Sequence, residues 1–565
     1  MPRDGATIFS DLIGKLDMTF RSTLSRSFAS IGVTRNSASD QPFEQLILLN
    51  WRGDLLAIGA GMLVSFLVAG FWYPYWRIAD MDFWLVYNAF LLNAHLSQEF
   101  FDYPGYLSIL LLSEWLRALH WLGLVKVSSL TALPPVGQMA DFTQAWTTAT
   151  RAGRVLSLIY AMMFVTSFTY LLRRLVCDWR VAVMGGLFLA FSGGMAMQMR
   201  ILRTELLASA LFFSALLMLL IVAQRGSTPW RPAVVGLASA LMTLAMLNKI
   251  QVIFLICAVP VILLPFGPAG ASARGFWDAP GRGFAALTAA AVLAAVGVYL
   301  AHGLLSFGLT TTSTPAFDLP MLALSAKTYW AAIVTWFGLG LAAYCLIWKV
   351  LALEVLTAAL AAVAGCMIGL LALYARYDPT DVMVVFHPFE QMFRWATESN
   401  PGLAKHSLGY DIRFLFEAVG HVVLRRTFFL ESSPRPAMFL EWFIIGAMVI
   451  AIRRREWRLV LQVAVLMLVD WGVDTLAMIR GLKQEYFLLT DPLAIIAAAL
   501  LIAKLTDLKR HRWTYPIGVV LIGVHLVVSQ AEPVKHAFKT GGPDVLCGLY
   551  HNAKWVERLP VCKSR

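Results

Sequence analysis

The chain has 565 residues, of which 59% are hydrophobic and only 14% charged, well below the ~25% charged content of a soluble domain. With a mean hydropathy of +0.68, this excludes a soluble globular or disordered chain and predicts an all-α, polytopic integral membrane protein. The formal net charge of +12 does not point to nucleic acid, because no basic tract interleaved with aromatics appears. Arginines at the inner ends of spans, and contact with anionic headgroups or phosphates, account for it more simply.

Residues 1–50 are mixed polar, with Arg3, Lys15, Arg21, Arg26 and Arg35 and no central apolar core. They read as a cytosolic tail without a cleavable signal peptide. The segment 8–28 suits a weak amphipathic surface helix or a disordered tail equally well. The first long apolar run covers about 55–75, and twelve more follow near 153–173, 181–199, 205–224, 232–248, 250–266, 284–306, 329–347, 351–374, 437–452, 458–475, 487–503 and 515–530. Basic clusters punctuate these runs at Arg173 and Arg174 with Arg180, at Arg225 and Arg231, at Arg274 and Arg282, at Lys349, at Arg453 to Arg455 with Arg458, and from Lys504 to Arg512. Placed inside by the positive-inside rule, they give an inner N-terminus, about thirteen spans and an outer C-terminus. The transmembrane domain then covers 51–530, with long outer segments at about 76–152, 307–328 and 375–436, followed by an outer tail at 531–565.

In the first outer segment, Asp80 and Asp82 follow the first span directly, and Asp102 comes in Asp102-Tyr103-Pro104-Gly105-Tyr106. Carboxylates beside lipid are costly, by ~2.5–3.5 kcal/mol each at the bilayer centre. Such a pair suits proton abstraction, cation binding or metal binding. Two helix-like pieces follow, at 83–101 and 104–124. The second opens with Pro104 and carries Glu114, Arg117 and His120, which suits the membrane interface better than a full span. Cys177, Cys257, Cys345 and Cys366 read as small apolar residues in or beside spans. Cys547 and Cys562 would share the oxidising outer side, where a disulfide contributes about 3 kcal/mol. No zinc-ligand spacing is present.

The order of these features resembles the GT-C glycosyltransferases: an N-in first span, outer acidic residues, two juxtamembrane helices, then alternating spans. Within them it is most similar to the branch of protein O-mannosyltransferases and lipid A aminoarabinose transferases, over most of residues 55–500. The resemblance implies an inverting transferase that takes a sugar from a polyprenyl-phosphate carrier in the outer leaflet and passes it to an outer-face glycan, lipid or protein. It also implies a bacterial inner membrane. A first-loop carboxylate would be the general base, and cationic side chains would hold the leaving phosphate.

Asp80 and Asp82 match that acidic motif, as Asp-Met-Asp where relatives often have Asp-Glu. On a helix the two side chains would diverge by about 200°, so both face one substrate only in a non-helical turn; Asp80, nearer the membrane, is the favoured base. The bland reading of the pair is a helix N-cap. Asp102 suits either catalysis or an N-cap before Pro104, and Tyr106 would shape the pocket. Arg200, Arg203 and Glu205 occupy a short outer turn, where an Arg–Glu pair could equally just close the turn. Arg151 and Arg154 open the second span, where snorkelling is the plain alternative.

Lys249 interrupts an apolar stretch at the outer face and suits a carrier phosphate as a point charge. Arg480, Lys483 and Tyr486 resemble a late arginine/tyrosine element of the family; a solvated loop with an interfacial tyrosine reads equally well. His387, Glu390 and Arg394 could share a helical face and contact the acceptor, although His387 reads more simply as a surface histidine. Asp80 and Asp82 could also hold a divalent ion.

Two rival readings stand beside the transferase. A transporter or flippase of a lipid-linked sugar would use Asp470 and Asp474 as an intramembrane coupling site. An O-antigen ligase or polymerase would depend on arginines in a late loop, where Arg413, Arg425, Arg426 and Arg435 lie.

Overall fold

The structure is a computed structural model that describes residues 41–72, 75–78, 82–99, 105–134, 138–225, 228–267, 277, 280–310, 326–374, 376–377, 383–388, 408–427, 438–477, 484–506, 516–524 and 527. Two compact units divide the chain, 1–54 and 55–565. In the first, residues 41–54 are helical. The description below concerns the second.

The described residues form helices and no strands. In chain order these are α1 (Gln41–Val68), α2 (Trp84–Asn93), α3 (Tyr106–Trp121), α4 (Met139–Val176), α5 (Trp179–Ala190), α6 (Gly193–Gln198), α7 (Thr204–Gln224), α8 (Arg231–Asn248), α9 (Val252–Leu263), α10 (Pro280–Leu300), α11 (His302–Thr310), α12 (Ala326–Trp348), α13 (Ala352–Tyr374), α14 (Leu408–Thr427), α15 (Met438–Arg453), α16 (Trp457–Ala477) and α17 (Asp491–Leu505). Among the described residues, seven helices are long and apolar enough to cross a membrane: α4, α7, α8, α10, α12, α13 and α16. That is the make-up of an integral membrane protein. Along α10 and α12, Phe284, Tyr299, Val334, Leu339 and Leu346 remain exposed, as suits helices whose solvent is lipid.

Local chemistry sets the helix ends. Asp178 accepts from the Arg180 amide to cap α5, and Ser192 accepts from the Met195 amide to cap α6. The Ser192 cap and the turn at Phe191 break the apolar run 181–199 into two helices, where one continuous span was expected. Similarly, the helix expected over 83–101 ends at Asn93: His95 takes a left-handed φ of 57°, and the Leu96 amide bonds back to the Leu91 carbonyl. This is a Schellman-type stop.

Packing between spans relies on small residues and on side-chain donors. Gly365 and Gly369 of α13 lie against Gly236, Ala240 and Thr243 of α8, so closely that an added Cβ would strike backbone atoms. This is the close backbone approach of small-residue membrane interfaces. At the other end of α8, Arg231 pairs with Glu354 at 2.7 Å, and both are buried. On α12, Trp336, Tyr344 and Trp348 donate to the carbonyls of Cys257, Pro260 and Leu264, at 2.8, 2.7 and 3.1 Å. Pro260 lacks an amide and interrupts the α9 ladder at the Ile256 carbonyl, and α12 adds side-chain donors along the same wall.

The segment between α1 and α4 is tied down by aromatics and amides. Phe83 stacks on Trp146 of α4 at 4.7 Å, and Tyr75, Phe90 and Phe142 surround the same indole. Asn93 donates to the carbonyls of Ser113 and Ser128, and Trp115 donates to the Ala152 carbonyl. These contacts fix α2 and α3 against the start of α4, which sets the position of everything described next.

Candidate functional site

Asp82 lies immediately before α2, beside Phe83 and its Trp146 stack. Its carboxylate does not cap α2; it turns into the protein and is fully buried. Arg154 of α4 donates to Asp82 Oδ2 through Nε at 2.9 Å and Nη2 at 2.6 Å, and the Leu202 amide donates to Oδ1 at 2.6 Å. The third arm of Arg154, Nη1, reaches the Gly70 carbonyl at 3.3 Å. Burial pushes the Asp82 carboxyl above its usual range, against the pull of Arg154, the Leu202 amide and the more distant Arg203. Asp82 therefore latches three elements: the end of α1, the start of α4 and the turn before α7.

That turn leads directly to a second pair. Glu205, in the first turn of α7, accepts from Lys249 Nζ at 2.6 Å, and Arg203 Nη1 stands 3.7 Å from the same Oε1. Lys249 and Glu205 are both buried. The Arg203–Glu205 contact that sequence suggested for closing the turn is the longer of the two, and Lys249 is the tighter partner. The Lys249 ammonium also lies 5.7 Å from the Tyr486 ring, a cation–π distance. One patch thus brings three cations, Arg154, Arg203 and Lys249, beside the carboxylates of Asp82 and Glu205.

Asn248, not singled out by the sequence reading, is the node beside this patch. Its Nδ2 donates to the Thr204 carbonyl at 2.7 Å, its Oδ1 accepts from the Ser108 amide at 2.9 Å, and its own carbonyl accepts from the Gly105 amide at 3.1 Å. It joins the ends of α3, α7 and α8. The available signal was an amide residue deep in an apolar stretch, next to the lysine. Gly105 takes φ 60°, a conformation that glycine adopts without strain.

The other nominated residues fall as follows. Tyr106 is buried against Tyr377, whose hydroxyl donates to the Tyr106 carbonyl at 3.0 Å. Arg200 packs against Gly70 and donates to Ser65 Oγ at 2.6 Å and to the Ala196 carbonyl. Arg151 donates to the Trp72 carbonyl at 2.6 Å and lies over its indole. His387, expected at the surface, is buried, because Val385 and Phe386, just before it, carry this segment into the core around Tyr106. Asp80, Asp102, Glu390, Arg394, Arg435, Arg480, Lys483, Cys547 and Cys562 lie outside the described residues. Among the described residues, no group of three or more His, Cys, Asp or Glu is placed to hold a metal ion.

No family model, curated protein or solved structure matches the chain.

Proposed function

We propose that the chain is a GT-C-type glycosyltransferase of about thirteen spans. It moves a sugar from a polyprenyl-phosphate carrier to an acceptor hydroxyl at the outer face of a bacterial inner membrane. The observation that carries this reading is the gathering of three cations, Arg154, Arg203 and Lys249, in one buried patch beside the first-loop carboxylate Asp82. Preplaced cations in a low-dielectric site favour the negative charge that develops on a departing phosphate.

In this reading the acceptor oxygen attacks the anomeric carbon as the bond to the phosphate oxygen breaks. The phosphate leaves with the electron pair, and the acceptor proton passes to a carboxylate. Asp82 already accepts three hydrogen bonds, which suits a positioning residue. Asp80, two residues earlier in the chain, is then the base, with Asp102 a further candidate three residues before the anchored Gly105. Lys249 binds the carrier phosphate, Tyr486 flanks it, and Arg480 and Lys483 add to the donor site.

The test is mass spectrometry of envelope glycolipids and glycans from cells lacking the protein, complemented with wild type or Asp80→Asn. Loss of one sugar mass that only wild type restores supports a transferase with Asp80 as base, and identifies the acceptor. Full restoration by Asp80→Asn removes the base and moves the transporter of a lipid-linked sugar to first place.

A further inference from the structure

The helix α3 carries a surface of its own at the end of the bundle where the patch lies. α8 and α13 run in the same direction, starting together at the Arg231–Glu354 pair and ending at Asn248 and Tyr374. Contacts along α3 lay it across those ends. Asn248 holds its first turn through the Gly105 and Ser108 amides. Arg376, just past α13, pairs with Glu114 in its middle at 2.7 Å. The next residue, Trp115, donates to the Ala152 carbonyl at 2.9 Å, where the apolar run of α4 begins. α3 thus runs along the level at which α4, α8 and α13 leave the apolar layer.

Beyond Trp115 the helix outruns this support. Tyr106, Ile109, Leu112 and Leu116 are buried, whereas Trp121, Leu122 and Leu124 are 86%, 60% and 67% exposed. Three large apolar side chains gathered at one helix end form a patch, unlike the single exposed residues that any surface carries. The turn beneath them suits a place without water. Gly123, at φ 73°, closes a Schellman stop: its amide donates to the His120 carbonyl, and the Leu124 amide donates to the Leu119 carbonyl, both at 2.9 Å. The Leu122 and Val125 amides donate to the Ala118 and Leu119 carbonyls at 3.0 and 3.3 Å. The His120 ring pairs with the Val125 carbonyl through Nδ1 at 2.9 Å. Every amide from 122 to 125 is bonded within the turn, as a segment that enters hydrocarbon requires.

The neighbouring surface and the charge pattern say what covers this tip. Ile368 and Tyr374 are exposed along α13, on a helix apolar enough to cross a membrane. That flank continues through Arg376 to Glu114, and from there to Ala118 and Trp121, which follow Glu114 at helical spacing on one face of α3. From Trp115 to Leu133 the sequence holds no Asp or Glu, and Arg117, His120 and Lys126 flank the tip. Tryptophan with nearby cations is the pairing that membrane boundaries favour, the ring at headgroup level and the charge against phosphate.

We infer that the α3 tip, Trp121 with Leu122 and Leu124, inserts into the lipid leaflet at this end of the bundle, with Lys126 against the headgroup phosphates. A helix lying in the interface plane sinks its apolar side about 5–10 Å into the headgroup and acyl boundary. Anchored there at one end and on Asn248 at the other, α3 holds the patch around Lys249 at headgroup depth. This inference rests on the membrane-embedded chain and is independent of the transferase reading.

The experiment uses the purified full chain in nanodiscs of phosphatidylcholine and phosphatidylglycerol. An environment-sensitive fluorescent amino acid replaces Leu122 or Leu124. The references are Leu293 on α10 and Glu456 in the charged turn between α15 and α16, both exposed like the tip itself. The quenchers are phosphatidylcholine brominated on its acyl chains and aqueous iodide. The expected result is a loss of emission at positions 122 and 124 in brominated lipid as large as at 293, with no loss in iodide. Iodide quenching equal to that at 456 puts the tip in water and overturns the inference. So does quenching by neither agent, which means that protein, a second copy or another part of this chain, covers the tip.

Discussion

The Asp82–Arg154 latch makes the sharpest stability prediction. Removing one partner of a buried ion pair strands the other charge, at a cost of about 3–5 kcal/mol. Asp82→Ala strands Arg154 and also deprives the buried Leu202 amide of its acceptor at 2.6 Å, adding about 1–3 kcal/mol. Asp82→Asn keeps an oxygen for that amide and should avoid the second cost. The expected order is therefore Ala worse than Asn by about 1–3 kcal/mol. Arg154→Met alone buries a carboxylate beside one amide and should cost about as much as Asp82→Asn.

The double variant Asp82→Asn with Arg154→Met removes both charges together. It should be less destabilised than the sum of its parts, with a coupling of about 3 kcal/mol. Unfolding of the purified protein in mixed detergent micelles, followed by tryptophan fluorescence, measures all four states. Additivity of the two single changes to within about 0.5 kcal/mol would mean the pair does not act as a unit. The reasoning from burial would then fail.

Other changes test neighbouring parts of the structure. Gly365→Val should disrupt the α8–α13 crossing by at least the 1–3 kcal/mol typical of overpacking, because an added Cβ meets the Gly236 carbonyl; thermal unfolding reads this. Asn248→Ala leaves the Thr204 carbonyl and Ser108 amide without that partner, costing about 1–3 kcal/mol for each, and should release α3 to proteolysis before the rest. The pair Glu205→Gln with Lys249→Met should fold, as removal of a whole ion pair is often near neutral, yet abolish sugar transfer in the complementation assay. Glu114→Gln is the control: its bridges to Arg117 and Arg376 are half-exposed, and its effect on stability should stay within ~1 kcal/mol.

The apolar runs were readable because span length and apolarity are local properties of the chain; among the described residues, seven of the helices that lie over them are long and apolar enough to cross a membrane. Where helices stop was less readable. The His95 turn is set by a backbone bond to Leu91, and no glycine or proline announces it. Partner choice was not readable at all. Arg154 meets Asp82 across 72 residues and Lys249 meets Glu205 across 44, distances over which no periodicity speaks. The sequence offered each of these four residues separately. It also assigned Arg426 to one rival reading and Asp470 with Asp474 to another, while folding joins all three. His387 misled because a lone histidine is usually solvated, and only the apolar residues beside it betray a buried segment.

The buried charges tie together elements far apart in sequence, and they invite different tests. A buried charge is costly unless it is paired. The Arg231–Glu354 pair joins α8 to α13, as helix glue would. Around Lys249 the arrangement is denser: Lys249 and Arg203 both face Glu205, and Arg154 faces Asp82, which also holds the Leu202 amide. If the first pair only holds helices together, replacing both its members, Arg231→Met with Glu354→Gln, should leave sugar transfer intact in the complementation assay. Replacing Lys249 together with Glu205 should abolish transfer in a protein that still folds. Equal loss of transfer from both double replacements would mean that burial of charge, and not the place of Lys249, decides the outcome.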